Sequence, residues 1–109
     1  MSKLNIINVW NIKYGACQEV YDYAGRLMKK SACGNPNSEF HPTLDHIRPL
    51  SLGGVDVLDN IVICHRDTNE EKADSFPHWK TNGKKYHAIR VRGSRVAYDI
   101  IHDKSKGSH

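Results

Sequence analysis

At 109 residues, with 39% hydrophobic and 26% charged side chains, the chain has room for one domain with one modest core. Its formal net charge of +4 comes from no long single-sign block, which leaves at most a mild attraction to phosphate backbones. Three scattered cysteines (Cys17, Cys33, Cys64) exclude a disulfide framework, and their odd number argues for a reducing compartment.

In chain order, residues 4–12 are β-branched and aromatic and predict a partly buried strand. Asn interrupts this N-terminal stretch, so it holds no apolar run of signal-peptide or membrane-spanning kind. The expectation is a cytoplasmic protein without a membrane partner. From about Gln18 to Lys30 the period changes. Val20, Tyr23, Ala24, Leu27 and Met28 recur at helical spacing, which predicts a helix. Residues 33–39 are a turn-rich break. Phe40 to Ile47 reads as a short strand, Pro49 to Asp59 as a loop around Gly53-Gly54, and Ile61 to Cys64 as a second strand. A helix follows, with Asp67 as the expected cap, Glu70 as its reciprocal partner and Pro77 as its end. His78-Trp79 reads as packing at that helix end. Tyr86–Arg92 and Arg95–Ile101 flank Gly93-Ser94 and predict a β-hairpin with a type II′ turn.

The middle of this series carries chemistry. Hydrolysis of a phosphodiester at neutral pH needs an activated water, charge stabilisation in the transition state and help for the leaving oxygen. Histidine suits the first task because its ordinary pKa lies near neutrality. A hard divalent cation suits the other two, and it prefers oxygen ligands. His46 can activate the water, and Asp45 with the Asn69 side-chain carbonyl can hold the cation. Neighbours on an extended strand point to opposite sides, so Asp45 and His46 are expected to divide these two tasks. Asn69 and Lys72 are three apart on the predicted helix and share a face, which would bring Lys72 to a phosphate oxygen.

Residues 44–74 resemble the HNH (ββα-metal) endonuclease family, small stand-alone bacterial or phage type. The residues that carry the resemblance are Asp45-His46, Gly53-Gly54, Asn60, Asn69 and Lys72. Asp22 to Met28 is similar to the lead-in of some small bacterial members. The resemblance implies an α+β fold: a ββα-metal core preceded by the N-terminal strand and helix and followed by the C-terminal β-hairpin. The whole of residues 1–109 would be a single domain, with the core motif at about 40–77 and the hairpin at about 84–103. It implies His46 as general base, Asp45 and Asn69 as metal ligands, and Asn60 as the brace of the loop that helps orient the base. The implied activity is metal-dependent hydrolysis of DNA to 5′-phosphate and 3′-hydroxyl ends. The cofactor would be one divalent ion, Mg²⁺ first, with Mn²⁺ or Zn²⁺ also able to fill such a site. One site per chain makes a monomer a nicking enzyme, and double-strand cleavage would take a homodimer or two events.

Many HNH proteins hold a structural zinc with two Cys-x-x-Cys pairs. Here Cys33 and Cys64 stand alone, because Lys30 and Asp67 occupy the companion positions, so no structural zinc is expected. His65 follows the second strand and could approach the metal or serve a structural role, and His87 and His102 read as structural. Arg48 and Arg66 flank the motif, and Arg90, Arg92 and Arg95 would form a basic β-ribbon for DNA. An alternative of another class stays open: a nucleic-acid-binding module or accessory subunit that keeps the scaffold without catalysis.

Overall fold

A computed structural model of the chain describes residues 4–104 and shows an α+β architecture of two helices and seven strands in three antiparallel sheets. The N-terminal stretch is a helix, α1 (Ile6–Tyr14), and not the expected strand. Its β-branched content is overridden by local capping and one-sided burial. The Asn5 side chain accepts from the Ile7 and Asn8 amides, Gly15 closes the helix at φ 59°, and Val9 and Trp10 are buried at adjacent positions of one face. The Trp10 indole also donates to the Cys17 carbonyl at 2.8 Å. Burying an aromatic side chain completely stabilises by about 3 kcal/mol, more than the propensity it overrides.

The expected helix at 18–30 is a hairpin of β1 (Glu19–Tyr21) and β2 (Leu27–Lys29), with Val20 opposite Met28. Asp22 breaks the helical pattern. Its Oδ1 accepts from the Ala24 and Arg26 amides, and Gly25 follows at φ 87°. The apolar spacing that mimics a helix here comes from residues on either side of a tight turn. Asp22 Oδ2 accepts from the His65 amide at 3.0 Å and the Thr68 hydroxyl at 2.6 Å, so this turn is tied to the start of the second helix.

Strand β3 (Pro42–His46) pairs with β4 (Ile61–His65), and α2 (Arg66–Lys72) follows directly, giving a β-loop-β-α unit. The cap of α2 is His65 rather than Asp67: its Nδ1 accepts from the Asp67 amide, while its Nε2 donates to the Glu39 carbonyl. The helix stops at Ala73 (φ 49°), before Pro77 is reached. Helix α1 and the first hairpin cover one side of this unit through Val9, Trp10, Met28, Ile61 and Ile63.

The C-terminal part is a three-stranded sheet in the order β5 (His78–Thr81), β6 (Lys84–Arg90), β7 (Tyr98–Asp103). His78 and Trp79 belong to its first strand and not to a helix end. Asn82 and Gly83 both have positive φ and make the two-residue turn between β5 and β6. The expected tight turn at Gly93-Ser94 is instead the middle of a wider loop. Pairing ends at Arg90 opposite Tyr98, and the Ser94 hydroxyl accepts from the Val96 and Ala97 amides. That register buries Tyr98 with Ile47, Trp79, Tyr86 and Ala88 in a second core cluster. It also takes Arg92 and Arg95 off the ribbon and into the loop. None of the described helices is long and apolar enough to cross a membrane.

Candidate active site

The site is built where β3 ends. The chain leaves His46, turns over the 3₁₀ segments Leu50–Leu52 and Leu58–Asn60, and returns into β4. Asn60, which is fully buried, fastens both ends of this loop. Its Nδ2 donates to the Arg48 and Val55 carbonyls at 3.0 Å each, and its Oδ1 accepts from the Arg48 amide at 2.9 Å. Its main-chain carbonyl accepts from the Ile47 amide at 2.8 Å. A Cβ on Gly54 would lie 1.8 Å from the Arg48 carbonyl oxygen, so only glycine lets the loop close this tightly.

The closed loop brings Asp56 against His46, with His46 Nε2 and Asp56 Oδ1 2.7 Å apart. A carboxylate can only accept in such a contact, so this pairing puts the ring proton on Nε2 and leaves the Nδ1 lone pair to take a proton. The sequence reading passed over Asp56. No spacing rule marks an aspartate inside a loop, and the contact exists only once Asn60 and Gly54 have closed it.

Asp45 is buried beside His46, and its Oδ2 has no hydrogen-bond partner. The Lys72 ammonium lies 3.5 Å from that oxygen, a distance for an ion pair rather than a good hydrogen bond. Burial pushes the Asp45 carboxyl up from its ordinary range, and the adjacent Lys72 and then His46 pull it back. Lys72 has no exposed surface. Its Nζ donates to the His46 carbonyl at 3.3 Å and stands 5.0 Å from the Trp79 ring centre. It therefore faces Asp45 from inside the protein and is not on the surface where a phosphate would arrive.

Asp45 and His46 share an open cleft of about 280 Å³ whose other walls are Pro49, Leu50, Ser51, Ala73 and Asp74. The expected opposition of the two side chains is thus partial: Asp45 lies deep, His46 lies nearer the surface, and both reach one cleft. Asn69 is tied to the residues just before Asp45. Its Nδ2 donates to Thr43 Oγ1 at 2.9 Å and lies 3.5 Å from the Leu44 carbonyl. These bonds engage the amide nitrogen and leave the amide oxygen as the donor atom for an ion. A buried carboxylate oxygen without a hydrogen-bond partner and an amide oxygen are the donors a hard divalent cation prefers, so the chemistry of this donor set suits such an ion.

The remaining candidates divide. Arg48 and Arg90 meet at the Tyr98 hydroxyl, each donating to it at 3.1 Å. Burial pushes the Tyr98 phenol up, but these two guanidinium groups outweigh it and leave the phenol below its ordinary value. Arg48 also donates to the Leu52 carbonyl at 2.7 Å, which props the loop. Arg66 is held at the other side of the unit by the Pro36 and Ser38 carbonyls. Arg92 and Arg95 are exposed in the β6–β7 loop. Cys64 is buried next to Thr43, and Cys33 packs against the first core cluster; burial pushes both thiols up.

Residues 38–78 match the family model for HNH endonucleases, a family that generally uses a divalent metal and acts on nucleic acid. The matched span runs from just before β3 through β4 and α2 to the first residue of β5. Comparison with curated proteins and with solved structures gives no match.

Proposed function

We propose that residues 38–78, which match the family model for HNH endonucleases, form a nuclease core and that the protein hydrolyses DNA phosphodiester bonds with the help of one divalent metal ion. The observation that carries this reading is the cleft itself: an imidazole fixed by a carboxylate stands beside a buried carboxylate oxygen that has an ion-pair neighbour but no hydrogen-bond partner. In this reading His46 takes a proton from the attacking water through Nδ1, while Asp56 holds the ring and balances the charge it gains. Asp45 and the Asn69 carbonyl hold the ion. When bound, that ion supplies Lewis-acid stabilisation of the phosphate and of the leaving oxygen.

Asn60 and Gly54 keep the loop closed so that His46 and Asp56 stay paired. Lys72 holds Asp45 charged and in place from the protein side. The backbone of DNA is approached by the exposed guanidinium groups of Arg92 and Arg95, with Arg48 and Arg90 positioned through Tyr98. One such site per chain gives nicks rather than double-strand breaks.

The test is incubation of supercoiled plasmid with wild-type and His46→Ala protein in Mg²⁺, Mn²⁺ or EDTA. Wild type should convert plasmid to open circle only with metal. His46→Ala should be slower by about a thousandfold, within the span expected for loss of a general base. Folded wild-type protein that binds plasmid but cuts it under no metal would overturn the enzyme and leave a nucleic-acid-binding module on the same scaffold.

A further inference from the structure

The outer face of the C-terminal sheet gathers three ligating side chains that the core motif does not use. Along these strands Trp79, Thr81, Tyr86, Ala88 and Tyr98 are buried, so the alternate positions point away from the core. His78 on β5 stands directly opposite His87 on β6. Asp103 on β7 is two residues beyond Ile101, the partner of His87, which makes it a diagonal neighbour on the same face. Three adjacent strands thus each send one side chain to a common point. One ligand atom from each lies within 4.8 Å of the other two. The two imidazole centres are 5.7 Å apart, and His87 Nδ1 is already in direct contact with Asp103 Oδ1.

We propose that His78, His87 and Asp103 bind one divalent transition-metal ion of the zinc class. Two imidazoles and one carboxylate form a borderline nitrogen–oxygen donor set, which favours Zn²⁺ or Co²⁺ over the oxygen-seeking Mg²⁺ and Ca²⁺. Metal–ligand bonds of about 2.0–2.2 Å set the ligand atoms about 3.4 Å apart, so His78 must draw closer while His87 and Asp103 part from direct contact, the shared proton leaving to solvent. Half-exposed side chains make that adjustment by small rotations. A cleft of about 320 Å³ beside the cluster, bounded by His78, Lys80, Lys85 and Asp103, gives an ion access and leaves room for water in the open position. Lys80 and Lys85 face each other across the strands and repel a cation, so the site is weaker than a closed structural zinc site. A bound ion would join β7 to β5 and β6. It shares no wall residue with the cleft at Asp45, and the proposal stands whether or not that cleft is catalytic.

The experiment uses the full chain carrying Asp45→Asn, which removes the carboxylate expected to hold an ion in the core. Zn²⁺ is titrated by calorimetry, and Co²⁺ is followed through its visible absorption. One ion per chain should bind, with a rise in Tm and no displacement by excess Mg²⁺. Adding His78→Ala or His87→Ala should weaken binding by about tenfold or more. His78 is exposed, so its removal leaves the fold intact, and circular dichroism of each ion-free variant confirms this. No binding by the Asp45→Asn protein, or unchanged affinity in both folded histidine variants, would overturn the proposal.

Discussion

Among the described residues two histidines hydrogen-bond an aspartate side chain, His46 with Asp56 in the core loop and His87 with Asp103 on the C-terminal sheet. The surroundings differ in every other respect. His46 shares its cleft with a buried carboxylate oxygen that has no hydrogen-bond partner and faces an internal ammonium. His87 lies on an open face with a second histidine across the strand and two lysines nearby. An imidazole next to a carboxylate therefore has no fixed role. Where a single ring is held and a separate oxygen donor is buried beside it, the pair suits proton transfer. Where rings come in twos, the pair suits coordination.

Removal of His46 gives the sharpest contrast. His46→Ala should cost about a thousandfold in plasmid cleavage while leaving the zinc titration of the sheet unaltered. Loss of both together would show that the two pairs act as one. The next largest effect is on stability. Lys72→Met leaves the Asp45 carboxyl buried without its internal counter-charge, a situation that typically costs about 3 kcal/mol. Urea unfolding should show this loss, and added Mg²⁺ should recover part of it by binding the folded form. A loss below about 1 kcal/mol would mean that Asp45 draws little from its internal partner.

A smaller effect is expected from Asp56→Asn. It keeps the size of the side chain but not its charge, and kcat should fall by about 10- to 100-fold with little change in KM. The double variant with His46→Ala should be no worse than His46→Ala alone. If the two losses multiply, Asp56 acts by a route other than His46.

The mildest effect lies at the joint between the two regions. Glu71 on α2 accepts from the Thr81 hydroxyl at 2.7 Å and the Asn82 amide at 2.9 Å, and it pairs with Arg26 at 3.0 Å. These contacts, Thr81 first, hold its carboxyl down to about 2 from an ordinary 4.5. A lowered folded-state pKa gives stability that is present above about pH 4.5 and fades as pH falls toward 2. Glu71→Gln should lower Tm on the neutral side and converge with wild type as pH falls toward 2, which flattens the acid limb of a Tm-versus-pH curve. An acid limb identical to wild type would remove Glu71 from the joint.

These contrasts bear on what the chain makes legible. Asp45, His46, Asn60 and the apolar run 61–64 can be read directly because each task needs a particular residue type and the unit is local in sequence. Strand β4 and helix α2 follow from the same stretch. Elsewhere composition and capping disagree. The β-branched residues of α1 read as strand, and the deciding signals are the flanking Asn5 and Gly15. Between 18 and 30 the helical spacing is broken by Asp22 and Gly25, two turn residues that outrank it. In the C-terminal sheet, Asn82-Gly83 is the stronger hairpin signal, yet Gly93-Ser94 attracts the eye because of the alternating strands beside it. The cluster of His78, His87 and Asp103 is hidden for a different reason. His78 and Asp103 are 25 positions apart (103 − 78 = 25), and only the register of three strands brings them together.

The internal ammonium of Lys72 has one more consequence. A carboxylate awaiting a cation would ordinarily be a weak point during synthesis and whenever the ion is scarce. Here the chain carries its own substitute charge, covered by Trp79 and closed off from solvent. On the proposed reading, the core can thus stay folded with its carboxylate balanced before any ion arrives. Withdrawing the ion would then stop cleavage without unfolding the chain.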